Sequence, residues 1–504
     1  MKKILVGIIF ILVAAVFIHN SQAFSLDGQI GIHDPSTIVV CDGKYYTFGT
    51  GGTSLVSDDG WTWRQGTRLP RRGLAPDIIH LGDRYFLYIA ANNGPTKADI
   101  NLLTNKTLDP NSPEYKWEEG GVVASSDGVE DCNAIDPGLL LDPTTKRLWL
   151  TYGSYFGYIR LVELDPKTGK RLNPNVKPAN IAINSEASIM IFHDGWYYLL
   201  VTHGSCCRGA DSGYNIRVGR AKKVTGPFID NIGIDMIQGG GKLFVTSSGR
   251  VIGPGHFGLF DLGDGVQRFS LHYEADLDRG GASVLDIRPL LWKDGWPVAG
   301  ENLQAGTYQF ESVRTGTVLE MAVEGFPVGG RPVRRGVPPG GGAPGGNAGP
   351  PPGTGGGIFA GTGKPIPTQD VAEVSPKWPT GNIDIRMGNY MLQAQQKWTI
   401  EPVANAGGYL GAPYFKITIA GTTRTLTATE GGELIALPTF NGGPEQLWRF
   451  DQLVDGSWRI SPKAIPNSPN LKDPLVLSAV GSSFATLAKF DPKSEKQRWL
   501  LKTP

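Results

Sequence analysis

Short apolar runs recur along the first 300 residues, and Gly, Asp and Pro break them at close intervals. Two strand-like runs flank a tight polar turn at 37–40 with 44–49, at 78–80 with 84–90, and at 189–192 with 196–202. The turns read Cys41-Asp42-Gly43, Leu81-Gly82-Asp83 and His193-Asp194-Gly195. Asp-Gly and Gly-Asp pairs between apolar runs are strong hairpin signals. No stretch has the 3.6-residue period of a convincing amphipathic helix. The order acidic turn, strand, polar turn, aromatic strand starts at Asp34, Asp77, Asp136 and Glu186. A related segment follows His256, with strand-like runs at 257–261 and 269–274 around a Gly-Asp-Gly turn. The pattern predicts an all-β fold in which five such units build a five-bladed β-propeller over 24–300. A β-sandwich or two smaller β-domains is the competing reading of the same pattern. In a propeller the innermost strand of each blade starts near the axis, so residues far apart in sequence converge there.

Both ends of the chain depart from this pattern. Lys2 and Lys3 precede an apolar run over 4–18, and Ser21-Gln22-Ala23 follows with small residues at the spacing of a cleavage site. Roughly 20 apolar residues are needed to span a bilayer, so residues 1–23 are expected to be a signal peptide of a secreted protein, extracellular or periplasmic. An uncleaved membrane anchor is the alternative. After Trp296-Pro297 the character changes, and 337–357 is almost entirely Pro, Gly and Ala. Three triplets lie downstream: Gln396-Lys397-Trp398, Gln446-Leu447-Trp448 and Gln497-Arg498-Trp499. Three near-equal repeats that each close on Gln-x-Trp resemble a ricin-type β-trefoil. The opening strands of the first repeat are expected at 306–310 and 317–320. The trefoil-like domain then occupies 301–504, with the Gly/Pro-rich stretch as an insertion at about 327–370.

A length of 504 residues suits two domains. Lys plus Arg is 48 and Asp plus Glu is 47, so the balance gives no electrostatic reason to expect nucleic acid or an acidic membrane surface. A neutral polysaccharide is compatible. Four cysteines are present, Cys41, Cys132, Cys206 and Cys207; their spacing is not that of a zinc site, and their pairing stays open. Buried free thiols are the plain reading of Cys41 and Cys132.

Three isolated acids carry the candidate chemistry: His33-Asp34-Pro35, Ala134-Ile135-Asp136-Pro137 and Ser185-Glu186-Ala187. Each sits in a turn beside strand-like sequence. Cleavage of a glycosidic bond needs one protonated and one ionised carboxyl group. Asp34 suits a general base acting on water, or a turn Asp that satisfies backbone amides. Asp136 opens the apolar strand at 139–141, where an acid is costly unless paired or functional; a charge there would raise the pKa of a neighbouring carboxyl. Glu186 precedes the apolar run 189–192 and suits a proton donor, or a strand-edge residue bonded to the next blade.

Eight motifs occur in one order: His33-Asp34-Pro35, Ala75-Pro76-Asp77-Ile78, Asn133-Ala134-Ile135-Asp136-Pro137, Gly153-Ser154-Tyr155-Phe156-Gly157, Ser185-Glu186-Ala187, Cys206-Cys207-Arg208-Gly209, Val224-Thr225-Gly226-Pro227-Phe228 and Gly255-His256. The set resembles glycoside hydrolase family 43, and within it the endo-1,5-α-L-arabinanases, over about 27–300. The resemblance implies a five-bladed propeller and hydrolysis with inversion. It implies Asp34 as general base, Glu186 as general acid, and Asp136 as the residue that raises the acid's pKa and orients it. Asp34, Asn133, Ala134, Ile135, Asp136, Ser154, Tyr155 and Phe156 would contact the sugar. A metal near the axis, usually calcium, is implied at His256, whose plain reading is a core histidine. The substrate implied is arabinan or an arabino-oligosaccharide. Leu74, Ser188 and Tyr155-Phe156 depart from the arabinanase pattern and leave endo against exo action open. The rivals are an exo-acting α-L-arabinofuranosidase or β-xylosidase on the same fold, and a non-catalytic carbohydrate-binding propeller-lectin. In the C-terminal repeats, Leu319-Glu320-Met321, Leu426-Thr427-Ala428 and Leu477-Ser478-Ala479 lack the Asp common in sugar-binding trefoils. A sugar-binding module and a structural trefoil therefore both stay open.

Overall fold

The computed structural model describes residues 26–92, 94, 96–129, 131–262, 265–323, 378–466 and 475–504. The expected signal peptide at 1–23 and the insertion at about 327–370 lie outside the described residues. The chain divides into two compact units, one running to Gly306 and including Gly407–Pro413, the other made of Thr307–Ala406 and Tyr414–Pro504.

The first unit is a five-bladed β-propeller. Its five sheets follow chain order, one of five strands and four of four, and neighbours within a blade pair antiparallel, except that Asp27–Gly28 adds to Thr62–Gln65 in parallel. The inner strands are Val39–Cys41, Leu74–Leu81, Gly138–Leu141, Glu186–His193 and Val251–Asp261. The hairpin signals act as their chemistry dictates. Asp42-Gly43, Asp194-Gly195 and Asp294-Gly295 all have positive φ at both residues, the type I′ geometry that matches strand twist. Apolar side chains on facing sheets fill the space between blades. One cluster joins Phe86 and Tyr88 of the second blade to Leu148 and Leu150 of the third. Another joins Trp149 and Leu161 of the third to Met190 and Leu199 of the fourth. The ring closes through the segment before the first blade: Ile32 N–H donates to Ser283 O at 3.2 Å, and Leu285 N–H to Ile30 O at 2.9 Å.

One local feature repeats at every blade. Asp34, Ala75, Asp136, Ala187 and His256 have φ of 53°, 41°, 55°, 47° and 55°, and each lies at the start of its blade's inner strand or in a bulge near it. A left-handed residue other than Gly costs roughly 1–2 kcal/mol, and the cost falls hardest on the two alanines. The five turns surround a cavity of about 20 Å³ lined by Pro35, Pro76, Pro137, Ser188 and His256 among others, which marks the axis.

The second unit is a twelve-stranded sheet assembly. It contains three equivalent closures. Gln396, Gln446 and Gln497 each end a short 3-10 helix, and the Trp two residues on opens a strand. The indole N–H groups of Trp398, Trp448 and Trp499 donate to the carbonyls of Leu319, Leu426 and Leu477 at 2.8, 3.1 and 2.9 Å. All three rings are fully buried.

Asp77 ties three blades together. Its Oδ1 accepts from Thr37 N–H and its Oδ2 from Leu139 N–H, both at 2.9 Å. Asp77→Ala leaves two buried amides without acceptors, at about 1–3 kcal/mol each. The propeller's thermal unfolding midpoint should fall clearly, and by less in Asp77→Asn, which keeps one acceptor oxygen. An unchanged midpoint in both variants would show that the bridge adds no net stability.

Candidate active site

The turns that open the first, third and fourth blades bring together the three acids singled out from the sequence. Asp34, Asp136 and Glu186 are 8%, 5% and 9% exposed, so each needs partners.

Asp34 is surrounded by imidazoles. Its Oδ2 lies 2.8 Å from His33 Nδ1 and accepts from the Thr50 hydroxyl at 2.5 Å. Its Oδ1 lies 3.1 Å from His256 Nδ1, and its backbone N–H donates to His272 Nδ1 at 2.8 Å. Burial opposes ionisation of Asp34, but the surrounding imidazoles of His256, His33 and His272 outweigh it and hold the carboxyl well below the usual carboxylate range. Burial keeps the His256 imidazole down at about 4, so at neutral pH it is uncharged, and the cation that stabilises Asp34 is His33. Burial works against the His33 cation too, but hydrogen bonds to Asp34 and Glu274 overcome it and raise the ring to about 10.

Asp136 and Glu186 form a second, opposite environment. Asp136 Oδ2 accepts from Ala187 N–H at 3.1 Å, and Glu186 Oε1 accepts from the buried Tyr214 hydroxyl. Burial first, then the charges of Glu186 and Asp34, push Asp136 upward against the Ala187 amide. Burial likewise pushes Glu186 up to about 7; the Tyr214 hydroxyl opposes this, while the charges of Asp34 and Glu274 add to it. Two carboxyl groups close together in a dry site each favour the protonated form of the other. The Tyr155 hydroxyl donates to Thr202 O at 3.1 Å, and Thr202 pairs with Glu186 across the fourth blade's first hairpin. Burial and the charges of Glu186 and Asp136 raise the Tyr155 phenol, so it stays a neutral donor.

The other residues singled out from the sequence divide by position. Asn133 Nδ2 donates to Ser154 Oγ at 3.3 Å, and Ile135 O accepts from Gly153 N–H at 2.9 Å, which joins the Asn133–Asp136 motif to the Ser154-Tyr155 turn. Ala134 is fully buried, and its methyl lies in the core cluster between the second and third blades. Phe156 is 58% exposed. His256 lines the axial cavity, and neither of its ring nitrogens has a hydrogen-bond partner. A buried imidazole with unpartnered ring nitrogens beside the axial cavity is a side chain that would serve as one ligand of a bound cation.

Four participants escaped the sequence reading as site residues: His33, Tyr214, His272 and Glu274. Glu274 Oε1 lies 2.9 Å from His33 Nε2 and 3.4 Å from His272 Nε2. Glu274 Oε2 accepts from Cys207 N–H at 3.0 Å. A signal existed in Ser270-Leu271-His272-Tyr273-Glu274, an acid and a histidine two apart in a strand-like run, hence on one face. Cys206 and Cys207 form a disulfide between adjacent residues, and Cys41 and Cys132 are free and buried. A larger cavity of about 360 Å³, between the first blade and the 108–115 loop, is lined by none of these acids.

The propeller has close counterparts. The family model "Glycosyl hydrolases family 43" matches residues 33–297. The extracellular exo-alpha-(1->5)-L-arabinofuranosidase ArbA of Cellvibrio japonicus is 33% identical over 309 residues, covering 54% of this chain and 87% of that protein. The extracellular endo-alpha-(1->5)-L-arabinanase 1 of Bacillus subtilis is 30% identical over 291 residues, 53% of this chain and 87% of that protein. The crystal structure of an exo-1,5-alpha-L-arabinanase from a bovine ruminal metagenomic library superposes with a TM-score of 0.50 at 36% identity, covering 54% of this chain and 97% of the other. A Cellvibrio cellulosa alpha-L-arabinanase complexed with arabinohexaose superposes with the same TM-score at 30% identity, covering 54% of this chain and 96% of the other. With its family match running from the first blade's turn through the fifth blade, over more than half its length, this chain belongs to glycosyl hydrolases family 43.

Proposed function

We propose that this protein is a secreted, inverting glycoside hydrolase that cleaves the α-1,5-L-arabinofuranosyl linkages of arabinan. One observation carries the reading: the buried carboxyls of Asp34, Asp136 and Glu186 sit in two opposite environments, imidazoles that favour the anion around Asp34 and burial with neutral donors that favours the proton on Asp136 and Glu186. Asp34 acts as general base on water, Glu186 as general acid to the leaving oxygen, and Asp136 keeps the acid protonated. The Asn133-to-Asp136 motif and the Ser154-Tyr155 turn, with Phe156 at its rim, hold the sugar. The endo mode is preferred on the register of the eight motifs. An exo mode has its own support, since the relatives at 33% and 36% identity are both named exo-acting. The names of extracellular relatives support export.

The reading includes calcium held through water and His256. When bound, such a cation adds positive charge beside the axis, which favours the ionised form of Asp34. The second unit is read as a ricin-type trefoil, supported by its three equivalent Gln-x-Trp closures. Glu320 accepts from Arg386 at 2.7 Å and from Gln396 at 2.6 Å, and Thr427 from Gln446 at 3.0 Å. These polar groups serve the framework itself, which favours a structural trefoil at those positions over a sugar-binding one.

Digestion of linear 1,5-arabinan should yield mixed oligosaccharides early, with a loss of about 10²-fold or more in Glu186→Ala. Activated aryl glycosides should suffer much less, because their leaving group needs little protonation. Arabinose alone as the early product selects the exo reading, and no release by the wild type sinks the hydrolase reading.

The profile of kcat/KM against pH should be bell-shaped. Activity requires protonated Glu186, so it falls as pH rises through about 7, while the acid limb lies below the usual carboxylate range because Asp34 is held low. Tyr214→Phe removes a donor that favours ionised Glu186, so its alkaline limb should move to higher pH. A flat profile between about pH 4 and 9 contradicts these roles.

Dialysis against a chelator should lower the melting temperature of the wild type and leave that of His256→Ala unchanged. Elemental analysis of the purified protein should find about one calcium per chain, and its absence would remove the metal from the reading.

A further inference from the structure

His33 has a carboxylate on each ring nitrogen, Asp34 Oδ2 at 2.8 Å from Nδ1 and Glu274 Oε1 at 2.9 Å from Nε2. An imidazole with an acceptor on both sides donates on both sides, so its ring plane and rotation are fixed from two directions. Glu274 is 4% exposed in the strand Gln267–Asp276, where an unpaired carboxylate would be very costly. Its hydrogen-bond partners are His33 at Oε1 and the Cys207 amide at Oε2, with His272 Nε2 3.4 Å from Oε1. Burial opposes its ionisation, yet the His272 and His33 imidazoles beside it bring its carboxyl down to about 2. The same strand therefore grips Asp34 at two points. His272, two residues before Glu274, accepts the Asp34 backbone N–H; Glu274 reaches the Asp34 side chain through His33. The Cys206-Cys207 turn closes over the far side of Glu274, with sulfur atoms within 4.8 Å of His33 and Glu274 donor atoms.

We propose that Glu274 is a positioning residue for hydrolysis: by clamping the His33 imidazolium from behind, it fixes the direction from which Asp34 Oδ2 is held, and so the direction in which Asp34 faces the attacking water. The proposal rests on the reading of Asp34 as general base. It separates Glu274 from a residue that merely anchors the Cys206-Cys207 turn, because a turn anchor acts without His33, whereas a clamp acts only through it. A misplaced base slows the chemical step and leaves ground-state sugar binding intact; a displacement of about 1 Å costs on the order of 10²-fold.

The test is a double-mutant cycle on linear 1,5-arabinan with full-length protein: wild type, Glu274→Gln, His33→Ala, the double variant, and Asp34→Asn. Glu274→Gln should lower kcat by about 10- to 100-fold with KM within about twofold, and the double variant should be no slower than His33→Ala alone. Losses that multiply, or a change in KM with kcat preserved, overturn the clamp. If Asp34→Asn retains wild-type kcat, the base assignment has failed instead, which is a separate outcome. Should Glu274→Gln not fold, His33→Asn is the fallback background. Its comparison variant is Glu274→Asp, which keeps the charge but shortens the reach to His33. A fall in kcat at constant KM in Glu274→Asp, absent from Glu274→Asp/His33→Asn relative to His33→Asn, supports the clamp, and a wild-type kcat in Glu274→Asp overturns it.

Discussion

Five inner strands start around one axis, and each carries a residue in the left-handed region at or near its start. That shared turn is the constraint on which the site depends. It places Asp34, Asp136 and His256 in equivalent positions of the first, third and fifth blades, and Glu186 one residue ahead of the equivalent Ala187. Residues more than 200 positions apart in sequence become neighbours without any one loop having to fold precisely on its own. The conformational cost is met by the blades around it, whose apolar faces pack against each other along the whole length of the strands. Asp77, on the inner strand of the second blade, adds a polar brace from the first blade to the third.

Placing several carboxyl groups at one dry axis creates an electrostatic problem, and the blades divide it. The first and fifth blades supply imidazoles: His33, His256 and His272 beside Asp34, with Glu274 as counter-charge to His33. The third and fourth supply neutral donors only, the Ala187 amide and the Tyr214 hydroxyl, to Asp136 and Glu186. The first environment favours the anion and the second favours the proton. Two like groups thereby acquire opposite roles from surroundings alone, the arrangement that acid–base catalysis needs.

The propeller was legible because its signals are local. Asp-Gly turns, short apolar runs and a recurring acidic turn each occupy a few residues, and the I′ turns at Asp42-Gly43 and Asp194-Gly195 bear out that reading. Asp34, Asp136 and Glu186 were legible for the same reason, since an acid just before an apolar strand stands out without any knowledge of its partners. The His33–Glu274 pair was not, because it spans 241 positions and neither residue breaks its local pattern by much. The neighbourhood of Asn133 was legible only as a motif. Structure separates its members, since the Asn133 amide reaches Ser154 whereas the Ala134 methyl is spent on packing. Cys206 and Cys207 illustrate a different limit: adjacent cysteines carry no spacing from which pairing could be inferred.

The charge arithmetic around His33 also explains why the base side holds two carboxylates. With Asp34 alone, an imidazolium would have one nitrogen satisfied and the other turned toward a half-buried space, free to rotate or to lose its proton. Glu274 supplies the second acceptor, and its own second oxygen is taken by the Cys207 amide, so neither nitrogen of His33 and neither oxygen of Glu274 has a spare direction. A network in which each buried polar group is satisfied is rigid, and a partly satisfied one is costly. The Glu186 side is built differently: the charge of His33 favours its ionised form, but burial and the neighbouring carboxylates outweigh it, and in the proposed acid role a stronger cation beside Glu186 would work against the proton it delivers. Tyr214 solves this by being a donor that carries no charge, its phenol driven upward by burial and the neighbouring carboxylates. In the proposed roles the two halves thus differ for a chemical reason: a base is served by a cation beside it, and an acid is served better by a neutral donor.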